Sequence, residues 1–430
     1  MGKRMGLRLI IVILAIVAIL LPPSAVMTIV SMGGSDARTL KQSHSRPSVL
    51  QSGRIVHGMH PGGDDGQEDI IMDKPAAWYD YENSVGNRPA WIYFSQEWGF
   101  PNGDRSKPMN SHTFPSCIVQ RISDRAQIPF IRLMLRSDTS AVPEQRPEEK
   151  ETYFTLNNII GQRPNNVAIS EQINRDLAAW GRAARAYGHT IIVEWGTEVN
   201  GDTFSWNSQY NGPGGAKLFR QAFRHIVQLI SGSDTGASNI IWVFHVVPEE
   251  TDGPPNWNRI AQYYPDGTDE DPRDVIDWLG VSIYGAQSVR ETDCESFAIQ
   301  LQRALIGADG DGLLALANRS GRHKPILVLE MGTTWNYKGK AEQCRPEFWT
   351  RAAFETLLSK ARESKQQIWG FSWWNERFPG DDLKRNPVEM RAQKNSRLAK
   401  SLNFFTSLPA AANAPDIILP KPDKSSCLQR

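Results

Sequence analysis

Two stretches decide how this chain is read: Thr190-Ile-Ile-Val-Glu194-Trp-Gly-Thr-Glu198 and Lys324-Pro-Ile-Leu-Val-Leu-Glu330-Met-Gly332. Each is a short run of β-branched and aliphatic residues that ends on a glutamate. Such runs lack the polar alternation of a strand with one wet face and fit a parallel sheet covered on both sides. Six further runs share the texture: IVHGMH (55–60), AWIYFSQEW (90–98), IPFIRLMLR (128–136), IIWVFHVV (240–247), DWLGVSIYG (277–285) and IWGFSWWNE (368–376). Helical patterns fall between them. Ser170–Tyr187 is expected to open with Ser170 as N-cap, to keep Ile173, Leu177, Trp180 and Ala184 on one face, and to end at Gly188. Lys217–Ile230 and Phe348–Ser364 read the same way.

Eight strands alternating with helices predict one α/β domain, a (β/α)8 TIM barrel over residues 53–408. The rival, an open doubly wound sheet, would carry a glycine-rich phosphate turn after its first strand. Gly58-Met-His60-Pro-Gly62-Gly63 lacks that spacing.

Barrels of this kind place their working residues at the C-terminal ends of strands. Strand four ends with Glu198, strand six with Tyr284, strand seven with Glu330, and strand eight with Trp373-Trp374-Asn375-Glu376. A lone glutamate at a strand end is usually a structural ion pair. Two across one mouth, with Tyr284 and Trp373 beside them, suit glycoside hydrolysis, where one carboxyl protonates the leaving oxygen and the other attacks or stabilises the oxocarbenium ion.

On these residues the chain resembles the clan A retaining glycoside hydrolases. Glu198-Val-Asn200-Gly201 with downstream Trp206 is similar to the acid/base segment of glycoside hydrolase family 26, the β-mannanase family. The strand ending Glu330-Met-Gly332 is similar to that family's nucleophile strand, and Asp277–Tyr284 to its sixth strand. The resemblance implies Glu198 as general acid/base, Glu330 as nucleophile and a Tyr284 hydroxyl on the nucleophile, with Asn200 and Trp206 near substrate. Glu330 is then expected to be ionised, and Glu198 to be held protonated by that charge and by partial burial. Two positions depart from the pattern. Thr197 stands where family 26 has a histidine that touches the sugar at the cleavage point. Glu194 replaces an arginine and is similar instead to the Glu-x-Trp-Asn-Glu motif of family 39. Four residues before Glu198 on one strand, Glu194 should lie below it inside the barrel and needs a partner, for which Arg132 is the candidate.

Trp98, Trp206, Trp257, Trp335, Trp373 and Trp374 fall at strand ends or in the loops that follow, where flat rings suit pyranose faces. Core packing is the alternative, and it is accepted for Trp180, Trp242, Trp278 and Trp369. His60 and His245 could bond sugar hydroxyls or serve structure. Glu249 and Glu250 read as a solvated loop, and the acidic stretch Asp266–Asp274 as a solvated turn without calcium-loop spacing. No metal, cofactor or nucleotide is called for. The expected activity is a retaining endo-β-glycanase on mannan, glucan or an exopolysaccharide. A non-catalytic carbohydrate-binding barrel is the runner-up, motivated by Thr197 and Glu194, and an inverting hydrolase is the third reading.

With 48 Lys plus Arg against 47 Asp plus Glu, the chain has no clustered positive excess, which argues against nucleic acid as a partner. A monomer is expected. Residues 31–52 read as a linker and 409–430 as a proline-rich extended tail. The four cysteines Cys117, Cys294, Cys344 and Cys427 match no zinc or redox spacing. Three pairings are open; Cys294 with Cys344, each in a loop after a strand, is preferred over buried thiols.

Lys3, Arg4 and Arg8 precede an apolar run of 13 residues, Leu9–Leu21, ended by Pro22 and Pro23. This reads as an export signal within residues 1–30. No charge follows until Asp36, so residues 9–30 could equally be retained as a membrane anchor. No cysteine lies at positions 20–35 to carry a lipid. A retained segment should send full-length protein to the membrane fraction and resist carbonate extraction. A soluble form whose N-terminus begins after Ala25 would establish a cleaved signal instead.

Overall fold

The computed structural model describes residues 50, 52–62, 76–99, 109–135, 153–161, 166–249, 258–265, 272–363, 365–378 and 387–414. The expected signal or anchor, most of the expected linker, Trp257, Glu250 and the greater part of the acidic stretch lie outside them.

Eight parallel strands form the sheet in sequence order: β1 (Ile55–His60), β2 (Trp91–Glu97), β3 (Ile128–Met134), β4 (Ile191–Trp195), β5 (Ile240–Val246), β6 (Trp278–Tyr284), β7 (Ile326–Gly332) and β8 (Ile368–Trp374). β1 also pairs with β8, from Val56 opposite Gly370 to His60 opposite Trp374, so the sheet closes into a barrel. The expected fold stands. Closure removes both open edges, and every strand is buried over nearly its whole length.

Alternation along each strand divides the core in two. Val56, Trp91, Tyr93, Phe130, Ile192, Val243, Leu327 and Leu329 fill the barrel interior. Ile92, Ile131, Val193, Phe244, Val281 and Val328 face the helices. The Trp91 indole takes space that side chains on β1 and β8 would need. A Cβ on Gly58 would lie 1.9 Å from Trp91 Nε1, and one on Gly370 would lie 2.6 Å from the same ring.

Three helix boundaries move. The helix expected from Ser170 runs Val167–Tyr187, and Asn166 caps it by accepting the Ile169 N–H at 3.1 Å. Asn166 lies about one turn upstream of Ser170, where the orphan N–H groups are; Ser170 is inside the helix. Gly188 ends it at φ 74°, as expected. The other two run Gly215–Ser231 and Pro346–Ala361. Three short strands follow β8: β9 (Arg377–Phe378), β10 (Val388–Glu389) and β11 (Ala411–Ala412). β11 pairs with β1, and Asn413 Oδ1 lies 3.1 Å from His57 Nδ1. The domain therefore extends beyond the expected limit at Leu408.

Cys294 and Cys344 are bridged, with Cα atoms 5.2 Å apart and a sequence separation of 50. The link joins the loops after β6 and β7, with Ala286, Tyr337 and Ala341 packed around it. Cys117 is exposed on another helix, and Cys427 lies outside the described residues. Closing a loop of this length restricts the unfolded chain by on the order of 2–4 kcal/mol. Thermal unfolding with reductant should fall by that amount, and peptide mapping without reductant should recover the linked pair.

Candidate active site

The end of β4 departs from strand geometry to present Glu198. Gly196 has φ 77° and Glu198 φ 51°, the left-handed region that a glutamate enters at some cost. The loop that follows over-determines this turn. Trp206 Nε1 donates to the Thr197 carbonyl at 2.9 Å, and Asn207 Nδ2 donates to the carbonyls of Glu198 (2.9 Å) and Val199 (2.8 Å). Val199 N–H reaches the His245 carbonyl on β5 at 3.1 Å. Gly196 is required twice, by its φ and because a Cβ would lie 2.4 Å from the Phe219 ring.

Glu330 reaches the mouth by a different device. The β6–β7 register slips between Val281 and Ser282: Val281 opposes Val328, but Ser282 opposes Glu330. β7 thus carries one residue more than its neighbour, a β-bulge of the kind that re-aims a side chain. Leu329 faces the barrel interior, and in a regular strand Glu330 would face the helices. The bulge brings its carboxylate inward. There Tyr284 O–H donates to Oε2 at 2.8 Å, and Arg132 Nη2 lies 3.9 Å from Oε1.

Glu194 lies deeper and is fully buried. Its Oε1 accepts from the Tyr93 and Thr197 hydroxyls, each at 2.5 Å, and its Oε2 is 3.1 Å from His245 Nδ1. Arg132, the expected partner, has its Nε 3.9 Å away and donates to Thr197 Oγ1 at 2.8 Å. Tyr93 O–H also lies 3.5 Å from Glu330 Oε1, so Tyr93 and Arg132 each touch both carboxylates.

The structure brings Glu330, Tyr284, Thr197 and Glu194 into one cluster, with the Glu198 charge felt at Glu330. Several expected sugar contacts become structural. Thr197 is buried with its hydroxyl turned down to Glu194, not up to the cleavage point. Asn200 ties two loops together, donating to the Val247 and Asn258 carbonyls and accepting from Val247 N–H. Trp98, Trp206, Trp335, Trp373 and Trp374 are all 0–7% exposed and offer no open ring face. Trp98 stacks on His112, Trp373 donates to the Met390 carbonyl, and Trp374 stacks on His60 with centroids 3.7 Å apart. The His60 Nδ1 is bonded to the Tyr93 carbonyl, and Nε2 lies 3.6 Å from Glu376 in the wall. Glu249 is not solvated either: it is buried, meeting Arg259 and the N–H groups of Ile260 and Ala308. Sequence reasoning missed Tyr93. Its signal was its position two residues after Trp91 on an inward-facing row.

At Glu330 the electrostatics run against the expected ionised form. Burial pushes the Glu330 carboxyl up to about 7; Arg132 opposes the rise and the charge of Glu198 adds to it. The group so raised is the intended nucleophile, which sits in the wall at 4% exposure. Burial, then the charge of Glu330, holds Tyr284 well above its usual value, so it remains a donor. Folded protein thus keeps a proton on Glu330 that the unfolded chain, with a value of 4.5, has released. The stability this confers is present below the unfolded value and is lost as pH rises through about 7. Glu330→Gln keeps the shape without titrating. Its stability relative to wild type should improve by about 3 kcal/mol between roughly pH 4 and pH 8 in urea unfolding. A difference independent of pH would refute the shift.

Among solved structures, the chain is similar to GH26C from Muricauda sp. MAR_2010_75, at 16% identity over 87% of this chain and 91% of that one, with a TM-score of 0.55. It is similar to the catalytic domain of the Bacillus sp. JAMB-750 GH26 endo-β-1,4-mannanase, at 16% identity over 84% and 88%, TM-score 0.53. A Bacillus subtilis mannanase aligns at 12% identity over 85% and 89%, TM-score 0.50. No protein-family model and no curated protein matches the sequence. At these identities the likeness speaks for architecture: the chain has the (β/α)8 fold of those glycoside hydrolase family 26 structures.

Proposed function

We propose that the protein is a retaining endo-β-glycoside hydrolase that cleaves a β-mannan-type polysaccharide outside the cytoplasm. What supports this reading is Glu198 on the turn after β4 and Glu330 on the β7 bulge, hydrogen-bonded by Tyr284, with the Glu198 charge felt at Glu330. In the first step the Glu330 carboxylate attacks the anomeric carbon while the Glu198 carboxyl gives its proton to the departing oxygen. In the second, Glu198 takes a proton from water, the resulting hydroxide displaces Glu330, and the sugar leaves with its configuration retained. Arg132 and Tyr284 favour the charged form of Glu330 needed for attack, against its burial.

Buried tryptophans remove the ground on which endo action was first read. The endo mode and the mannan substrate instead rest on likeness to the Bacillus endo-β-1,4-mannanase. Export is supported by the basic head and apolar run of residues 3–21 and by the Cys294–Cys344 bridge, a link that persists in oxidising compartments.

The two glutamates can be separated chemically. A 2-fluoro mannosyl substrate should label Glu330 covalently, and Glu330→Ala should abolish turnover. Glu198→Ala should still release aryl leaving groups that need no proton, and azide should restore turnover as a glycosyl azide of retained configuration. Label on another residue, near-wild-type activity in Glu330→Ala, or mannan binding with no new reducing ends would overturn the reading.

A further inference from the structure

Double displacement uses two carboxylates, yet a third lies beneath them. We propose that Glu194 is a positioning residue for Glu330: this buried carboxylate fixes His245 and Arg132 as counter-charges and Tyr93 as a neutral donor under the nucleophile, and so sets the pH range in which the site works. The inference rests on the hydrolytic reading above for its activity readout alone.

Five strands contribute to the set. Tyr93 comes from β2, Arg132 from β3, Glu194 from β4, His245 from β5 and Glu330 from β7. β6 adds Ser282 and Tyr284, and the turn after β4 adds Thr197 and Glu198. β1 and β8 close the ring with His60 and Trp374, stacked on each other; His60 bonds the Tyr93 carbonyl, and Arg132 lies over the Trp374 ring at 5.5 Å. Thr197 Oγ1 accepts from Arg132, which leaves its single hydrogen for Glu194 Oε1; Tyr93 gives a second. His245 Nδ1 faces Oε2, while Nε2 pairs with Ser282 Oγ at 2.9 Å, on the residue that opposes Glu330 across the bulge. Arg132 and, when protonated, His245 therefore stand against two buried carboxylates, and Arg132 lies 3.9 Å from each.

The arrangement couples the charges. Burial alone would lower His245, but Glu194 outweighs it and raises it. Burial raises Glu194, but His245 and Arg132 bring it below its usual value. His245 in turn opposes the rise at Glu330 more strongly than Glu194 adds to it. Loss of the Glu194 charge should thus release the imidazolium proton and leave Glu330 harder to ionise.

Glu194→Gln keeps an oxygen for both hydroxyls, removes the charge and turns a neutral NH2 towards His245 Nδ1. Its acid limb of kcat/KM should move up by about one pH unit, with kcat rather than KM carrying the loss at neutral pH. Glu194→Asp, which restores the anion, should return the limb towards wild type. His245→Gln should shift it in the same direction, and the double variant Glu194→Gln/His245→Gln should add little to Glu194→Gln, because loss of the Glu194 charge already discharges His245. A second readout needs no turnover: the pH at which Glu330→Gln gains stability over its parent should rise in the Glu194→Gln background. An unmoved limb and an unmoved stability crossover, or fully additive single effects, would overturn the proposal. Should Glu194→Gln fail to fold, Glu194→Asp and His245→Gln decide it: the first must keep the crossover and the second must raise it. A moved crossover in a protein that never cleaves glycan would refute the hydrolytic reading and leave the positioning role standing. Cleavage with Glu330 labelled but no shift would do the reverse.

Discussion

Glu194 has no contact with water, and a carboxylate so placed must be met by cations and hydroxyl donors or surrender its charge. Its partners come from β2, β3, β5 and its own turn, so the requirement is satisfied only when those strands lie in one register. Arg132 stands opposite Glu194 in the β3–β4 pairing. A slip of one residue would turn one of them towards the helices and strand the other. Apolar packing below this level, from Trp91 to Leu327, would tolerate other registers far better than the polar layer does. The polar layer thus acts as a specificity device for the barrel as well as a floor for the site.

Above that floor, both proposed reacting groups are presented by irregular backbone. Glu198 sits in a left-handed conformation pinned by three side-chain bonds to consecutive carbonyls, and Glu330 sits on a bulge. Local strain of this kind persists where surroundings over-determine it, and it fixes side chains more tightly than a regular strand end could. Burial of Glu330 then works against its charge, while Arg132, Tyr284 and His245 work for it. The balance leaves it near neutrality, where modest changes in the surrounding charges alter its state.

The tryptophans carry a different lesson. Rings at strand ends pack beneath the loops that follow, and each closes a gap between sheet, helix and loop: Trp195 against Phe219, Phe204 against Trp206, Trp98 against His112. Their N–H groups in part cap loop carbonyls, as Trp206 and Trp373 do. A large apolar ring beside a strand end is worth more to the fold buried than displayed, and position in the sequence does not distinguish the two uses.

Local chemistry in the sequence was sufficient for the barrel. Eight apolar runs with helical spacers specify parallel strands covered on both faces, and the missing glycine-rich turn after the first run favours the barrel over an open doubly wound sheet. Glu198, Tyr284 and Glu330 were legible as a site because strand ends converge in such a barrel, and Glu194 was legible as buried because parity places it below Glu198. The rest was decided by tertiary structure. The bulge that turns Glu330 inward depends on how β6, β7 and β8 pair, which no single strand encodes. Whether Thr197 faces sugar or Glu194 depends on Arg132 and Glu194 needing its hydroxyl. How far the Glu330 carboxyl is pushed up depends on its burial, a property of the closed mouth. Sequence determines which groups are present; the face Glu330 takes is set by how β6 and β7 pair, and ionisation by distances to charges on other strands, which exist only once the barrel closes.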